Sequence, residues 1–217
     1  QSKGPLGLMV VDATHEGALR GYAQFDETAD LSLPLPELCA EGYLAITLDP
    51  GEGGKRYQGI VPLEGENIAD SIQHYFTQSQ QLMVSCKVAV GRIVGKWMAA
   101  GMYLEHLPES AEASEDSDDW REARLLLQTV KDDELLDAKL PLEQLLYRLF
   151  HEDGVWVYDA QALHTNCRCN REKFASVLKG IQNSSLEEMA VNGSIVIDCQ
   201  FCGHKEIFSL KELTVAG

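Results

Sequence analysis

The sequence Cys167-Arg-Cys169 is followed, after 29 residues, by Cys199-Gln-Phe-Cys202 and Gly203. Zinc favours four tetrahedral ligands, and two close cysteine pairs from separate chain segments supply such a set. The C-x-x-C-Gly form is typical of a turn between two strands whose backbone amides hydrogen-bond the sulfurs. The pattern therefore predicts one zinc ion per chain in the reduced state, held by Cys167, Cys169, Cys199 and Cys202.

Other cysteines and histidines are weaker candidates for this site. His164 and His204 lie nearby in the sequence, but four thiolates already complete a tetrahedron. Cys39 and Cys86 have no neighbouring cysteine, and both are expected to be small buried side chains. Six cysteines in a protein of a reducing compartment favour metal or redox chemistry over structural disulfides.

Composition excludes several classes of partner. The 217 residues carry a net charge of -16 and form no basic patch, which argues against nucleic acid and against an anionic membrane surface. The sequence has no run of about 18 apolar residues, so it predicts no transmembrane helix. Residues 1–11 lack the charged start and long apolar core of a signal peptide. A cytoplasmic location is the resulting expectation.

Charge and hydrophobic patterning divide the chain into three predicted parts of an α+β protein. Residues 1–108 predict a mostly antiparallel β-sheet domain with helices. Residues 109–163 predict an acidic loop and a helical linker, because residues 109–119 hold six acidic side chains and no large apolar one. Residues 164–217, with equal numbers of acidic and basic side chains, predict a small C-terminal Cys₄ zinc domain.

Within the first part, alternating apolar residues predict strands. The spacing of Ile68, Ile72 and Tyr75 predicts one helix. The predicted strands run over residues 6–11, 18–25, 42–48, 56–61, 82–90 and 97–107. Alternation of Val84, Cys86, Val88 and Val90 gives the fifth strand one strongly apolar face.

In the linker, helices are predicted from about Trp120 to Val130 and from Pro141 onward. The second places one apolar face against a neighbouring domain, formed by Leu142, Leu145, Leu146, Leu149 and Phe150. In the last part, Asn170 predicts a helix cap, and Ser184-Ser-Leu-Glu187 predicts a capping box for a helix ending near Asn192-Gly193. Strands are expected at residues 195–197 and 206–208.

The energetics of the last part suggest a switch. A unit of about 50 residues supplies only ~3–5 kcal/mol from its own core, whereas structural zinc in small peptides contributes an apparent ~10–16 kcal/mol. An oxidant that converts the thiolates to disulfides would remove the ligands, so the unit would lose both its metal and its fold.

These motifs resemble the bacterial heat shock protein 33 family of redox-regulated chaperones. The resemblance is carried by Cys167-Arg-Cys169-Asn-Arg-Glu-Lys173 and Cys199-Gln-Phe-Cys202-Gly203, and it extends over essentially the whole chain. Further matching segments are Arg56-Tyr-Gln-Gly-Ile-Val61, Leu63-Glu-Gly65, Ala100-Gly-Met102 and Leu145-Leu-Tyr-Arg-Leu-Phe-His-Glu152.

The resemblance implies a function and its control. It implies that the four cysteines hold zinc in an inactive reduced state, and that peroxide or hypochlorite forms Cys167–Cys169 and Cys199–Cys202 disulfides with zinc release. It implies that residues from about 110 to 163 then unfold, and that the active form, often a dimer, binds unfolding client proteins without ATP. Family members carry a further N-terminal segment, so an N-terminally shortened chain is expected.

Two alternatives stay open on the residues alone. A static zinc-ribbon adaptor would use the same four cysteines without redox chemistry. A thiol oxidoreductase would use Cys199-Gln-Phe-Cys202, although such motifs open a helix in a βαβ unit. Other enzyme motifs are absent from the sequence: Gly51-Glu-Gly-Gly-Lys55 lacks P-loop spacing, and neither H-E-x-x-H nor G-x-S-x-G occurs. The chain is therefore not expected to be an enzyme.

Overall fold

The computed structural model describes residues 1–51, 53–107 and 118–214. Its contacts divide the chain into two compact units. Unit 1 comprises Gln1–Leu8 and Phe25–Asp159, and unit 2 comprises Met9–Gln24 and Ala160–Gly217. The predicted acidic loop at residues 109–119 falls, except for its last two residues, outside the described part of the chain. Within the described ranges, no helix is both long and apolar enough to cross a bilayer.

Unit 1 is built from two β-hairpins and several helices. Strand Tyr43–Leu48 pairs antiparallel with Tyr57–Pro62, with Leu44 opposite Val61. Strand Val84–Ile93 pairs antiparallel with Lys96–Glu105, with Ala89 opposite Ala100. Asn67 caps the second helix by accepting a hydrogen bond from the Asp70 amide. The elements are α1 (Leu35–Cys39), β3 (Tyr43–Leu48), β4 (Tyr57–Pro62), α2 (Ile68–Tyr75) with a π-helical turn (Phe76–Gln80), β5 (Val84–Ile93), β6 (Lys96–Glu105), α3 (Asp118–Thr129), α4 (Asp132–Leu135) and α5 (Leu142–Phe150).

The two linker helices predicted from the sequence are confirmed, and with α4 they cover one face of the β5–β6 hairpin. Small side chains on that face let the helices approach: a Cβ added at Gly91 would lie 3.0 Å from Cδ1 of Leu136. The buried cluster consists of Ala89, Val130, Leu135, Leu136 and Leu145, with Met98, Ala100, Met102, Leu140 and Leu149 packed beside it. Leu145 and Leu149 supply part of the apolar face expected of α5, but the prediction of Leu142 on the same face is wrong: it lies at the first turn of the helix and is 64% exposed.

The predicted apolar face of β5 is only partly right. Val84 is buried and Cys86 is partly buried beside α2, but Val88 and Val90 are 51% and 63% exposed. The most buried residue of this strand, Ala89, lies on the opposite face. The alternation of apolar residues identified the strand, but it did not identify the face that the helices cover, because the helices pack where alanine and glycine leave room.

Replacing Leu145 by alanine should destabilise unit 1 by about 2–5 kcal/mol, since its side chain is only 2% exposed inside this cluster. The matched control is Leu142→Ala on the same helix, where the side chain is 64% exposed and the expected change is within about 0.5 kcal/mol. Urea denaturation, with amide exchange in α5 as a local readout, measures both. Equal effects of the two substitutions would contradict this packing.

Unit 2 combines a three-stranded sheet with a β-hairpin carrying three short helices. The three-stranded sheet contains Leu6–Ala13, Ala18–Phe25 and His164–Thr165 in that order, and the last two strands run parallel. The hairpin of Ser194–Asp198 and Lys205–Ser209 is antiparallel, with Ile195 opposite Phe208. The elements are β1 (Leu6–Ala13), β2 (Ala18–Phe25), β7 (His164–Thr165), α6 (Arg171–Lys179), α7 (Asn183–Met189), β8 (Ser194–Asp198), β9 (Lys205–Ser209) and α8 (Leu210–Thr214). Together the two units confirm the α+β class.

Two local predictions in unit 2 have opposite outcomes. Asn170 caps α6 as predicted, because its side chain accepts a hydrogen bond from the Lys173 amide. The capping box at Ser184 is wrong: α7 begins at Asn183, Gln182 is its cap residue, and its side chain makes no capping bond. The helix also ends earlier than predicted, at Met189, because Ala190 is already extended; Asn192 and Gly193, both with positive φ, form the turn into β8.

Candidate metal centre

The β8–β9 hairpin positions one cysteine pair. Cys199 follows β8 directly, and its amide donates to the His204 carbonyl while its carbonyl accepts from the Gly203 amide, both at 2.8 Å. Gly203 has φ of +71°, a conformation that glycine adopts without strain. The turn predicted between Cys199 and His204 is therefore confirmed, and it places Cys202 beside Cys199.

The other pair lies between β7 and α6. Cys167 and Cys169 follow the short strand, and Asn170 starts the helix immediately after them. Lys173 on the first turn of α6 donates from Nζ to the Arg168 carbonyl at 2.6 Å, which ties the loop to the helix. Arg171 fastens the helix to β9 and α8 by bonds to the Glu206 and Glu212 carboxylates at 2.8 and 2.5 Å.

The structure brings all four predicted ligand atoms together. Cys167 Sγ lies 3.6 Å from Cys199 Sγ, Cys169 Sγ lies 3.5 Å from Cys202 Sγ, and all four sulfurs lie within 4.8 Å of one another. Four sulfurs at ~2.3 Å from a tetrahedral metal would be ~3.8 Å apart. The four cysteines could therefore hold a metal ion with little rearrangement.

The pKa values of the cysteine thiols are also compatible with a bound cation. Hydrogen bonding to the Cys169 backbone lowers the pKa of Cys167 to about 6. The hydrogen bond with Cys202 raises the pKa of Cys169 to about 12. Neighbouring thiolates repel each other, so one ionised sulfur suppresses ionisation of the next. A divalent cation among them would stabilise four thiolates together, as metal binding to cysteine requires.

The weaker candidates stay apart from this cluster. Among the described residues, the four cysteines form the one group of at least three His, Cys, Asp or Glu side chains whose atoms lie close enough together to hold a metal ion. His204 instead places Nε2 3.0 Å from Oε1 of Glu206, and His164 lies exposed in β7. Cys39 is 4% exposed, and the Cys86 thiol donates to the Ala69 carbonyl at 3.2 Å.

The sequence analysis missed a set of residues that contact both cysteine segments. They come from the β1–β2 hairpin, which the prediction had assigned to residues 1–108. Asp12 accepts hydrogen bonds from Arg20 and from Arg168, which lies between Cys167 and Cys169. Burial alone would raise the pKa of Asp12, but these hydrogen bonds hold it below its usual value. No local signal could reveal contacts between residues about 150 positions apart.

Comparison with known proteins decides the family. The family model described as Hsp33 protein matches residues 1–209 of this chain. The chain belongs to the Hsp33 family. Two curated Hsp33 relatives are named 33 kDa chaperonin: that of Pectobacterium carotovorum is 38% identical over 210 residues, and that of Salmonella typhi is 35% identical over 214 residues. The alignments cover 96% and 98% of this chain and 71% of each relative.

A solved structure supports the Hsp33 fold. The crystal structure of the 33 kDa chaperonin from Thermotoga maritima matches with a TM-score of 0.78, 24% sequence identity, and coverage of 99% of this chain and 74% of that one. The relatives are named as chaperonins, which confirms the expectation of a chaperone. The C-x-x-C pair lies in a β-hairpin turn and opens no helix, unlike that of a thiol oxidoreductase.

Proposed function

We propose that this protein is a cytoplasmic, redox-regulated chaperone whose reduced form is inactive and holds one zinc ion through Cys167, Cys169, Cys199 and Cys202. The observation that carries the proposal is the cluster of four sulfurs within 4.8 Å in a chain of the Hsp33 family. Sulfur ligands favour zinc over magnesium or calcium, and the sulfur spacing suits its tetrahedral geometry. When bound, zinc supplies folding free energy to the unit around it.

The proposed switch is oxidation of the same thiols. A thiolate attacks peroxide, which becomes water as the sulfur becomes sulfenic acid; a second thiol then displaces a second water and forms the disulfide. Two such reactions consume two peroxides and give Cys167–Cys169 and Cys199–Cys202. All four sulfurs lie within 4.8 Å of one another, so pairing within each motif is reachable. Disulfide sulfurs are no longer thiolate ligands, and zinc is released.

The proposed partners are unfolding client proteins. Residues 109–163 would act as the metastable linker: α3, α4 and α5 cover a compact apolar cluster, and their detachment would expose it. Beyond that cluster, α3 also buries Leu127 and, beside His106, Trp120. The ion pair from Asp132 to Lys87 is long, at 3.7 Å. The active form would be able to dimerise through such surfaces.

Aggregation of a heat-unfolded test protein provides the experiment. After treatment with peroxide and mild warming, the chain should release its zinc and suppress the light scattering of the aggregating protein, without ATP. Reduced, zinc-loaded chain should suppress little. Peptide mapping should find disulfides within each cysteine pair. Retention of zinc after oxidation, with no suppression, would favour the static adaptor instead.

A further inference from the structure

The β1–β2 hairpin is fastened to the chain just before the first cysteine pair. Strand β2 pairs with β7, the His164 amide donates to the Gly17 carbonyl at 3.0 Å, and the Asn166 amide donates to the Leu19 carbonyl at 3.1 Å. Gly17 has φ of +83°, and a Cβ there would lie 2.4 Å from the Ala162 carbonyl oxygen. The close approach of the two backbones therefore requires glycine, and the residue before Cys167 is held by the hairpin.

Arg20 extends this attachment to the Cys167-Arg-Cys169 loop. Its Nε and Nη2 donate to Oδ2 of Asp12 at 2.9 and 2.6 Å, and Arg168 donates to the same oxygen. The side chains of Arg20 and Asp12 are 21% and 24% exposed, so their ion pair is shielded from solvent more than an ordinary surface pair. The guanidinium of Arg20 also lies beside the Cys167 sulfur.

The same guanidinium contacts the segment between the two cysteines of the second pair. Its Cζ lies 4.2 Å from the ring centroid of Phe201, the residue directly before Cys202. Tyr22, on the same strand as Arg20, places its ring centroid 6.2 Å from that of Phe201. One side chain of the hairpin thus touches both halves of the four-cysteine cluster, through Asp12 and Arg168 on one side and through Phe201 on the other.

We propose that Arg20 is a positioning residue for the metal site, and that the hairpin of residues 9–24 is an integral brace of that site. Groups that orient metal ligands without binding the metal commonly change affinity by about 10–100-fold when they are removed. Arg20 suits this role because a planar guanidinium can donate to a carboxylate and stack on a ring at the same time. The inference rests on the proposed zinc site and adds residues outside the cysteine-containing segment to it.

The test compares variants of the full chain by zinc competition with a chromophoric chelator and by the visible absorption of bound Co²⁺. Arg20→Leu should weaken zinc binding about 10–100-fold and shift the Co²⁺ bands, which report ligand geometry. Arg92→Leu is the matched control: this guanidinium lies 5.9 Å from the Trp97 ring in unit 1, and its loss should leave zinc affinity within about twofold. Arg20→Lys keeps the charge without the planar fork and should lose at least about threefold.

Coupling between the two cysteine pairs is tested by a double-mutant cycle. Phe201→Leu should weaken zinc binding, and combining it with Arg20→Leu should cost less than the product of the two single effects, because both remove the same contact. Far-ultraviolet circular dichroism at saturating zinc checks that each variant is folded. If Arg20→Leu and Arg20→Lys both bind zinc with an affinity within about twofold of that of the unaltered chain, the positioning role of Arg20 is wrong, and the proposed zinc site is unaffected. An unaltered chain that binds no zinc would overturn both.

Discussion

Serine in place of Cys199 should abolish tight zinc binding and unfold much of unit 2. Cys199 is 7% exposed, and its sulfur lies 3.6 Å from that of Cys167, so the change removes the most buried of the four candidate ligands. Structural zinc contributes an apparent ~10–16 kcal/mol in small domains, which exceeds the ~3–5 kcal/mol that a core of this size supplies. Zinc content by mass spectrometry and amide exchange across β8, β9 and α6 would measure the effect.

The matched control for this experiment is Cys86→Ser. Cys86 lies in unit 1, and its thiol donates to the Ala69 carbonyl, a bond that a serine hydroxyl can also make. Zinc content and exchange in unit 2 should stay unchanged. X-ray absorption of the unaltered chain should show four sulfur neighbours around zinc; a nitrogen neighbour would contradict the four-cysteine site and direct attention to His204. Full zinc loading of Cys199→Ser would contradict it as well.

Oxidation should accelerate amide exchange in α3, α4 and α5 by at least about tenfold, equivalent to ~1.4 kcal/mol of lost protection. These helices are proposed to depend on the folded zinc unit, which follows them along the chain. Their attachment is mostly apolar, through the buried cluster and through Trp120 and Leu127 of α3, and the ion pair between Lys87 and Asp132 is long, at 3.7 Å. Hydrogen exchange read by mass spectrometry, before and after peroxide treatment, makes the comparison.

The β3–β4 hairpin is the internal reference for that experiment. Its six residue pairs, from Tyr43 with Pro62 to Leu48 with Tyr57, belong to unit 1 and should keep their protection when the thiols are oxidised. Equal acceleration there would indicate global unfolding. Slow exchange in the three helices after complete zinc release would contradict the linker mechanism and leave the metal site unaffected.

Features encoded by neighbouring residues were predictable from the sequence. The two cysteine pairs, the Asn170 cap and the antiparallel hairpins each depend on contacts within a short segment, and each is found as predicted. The covered face of β5 and the start of α7 were not predictable. Tertiary packing selects the alanine face for the helices, and a serine at helical spacing is no cap when the helix begins one residue earlier.

Of the candidate site, only the four cysteines were predicted from the sequence. Cysteine spacing identified the four sulfurs, but Asp12 contacts Arg168 from 156 positions away, and Arg20 contacts Phe201 from a still more distant part of the chain. Their alternation on strands β1 and β2 looks like that of any solvated hairpin, because a charge pair across two strands is common on exposed sheets. Only the pairing of β2 with β7 shows that this hairpin belongs beside the cysteines.

The separation of the hairpin from its partners has a consequence for synthesis on the ribosome. Asp12 and Arg168 are 156 positions apart, so at ~5–20 residues per second roughly 8–30 s pass between their incorporation. Throughout that interval β2 lacks the neighbour that β7 later provides, and its free edge is open to pairing with other chains. The contacts between the hairpin of residues 9–24 and the four-cysteine cluster therefore form only after this interval, and their completion reports that translation has passed Cys202.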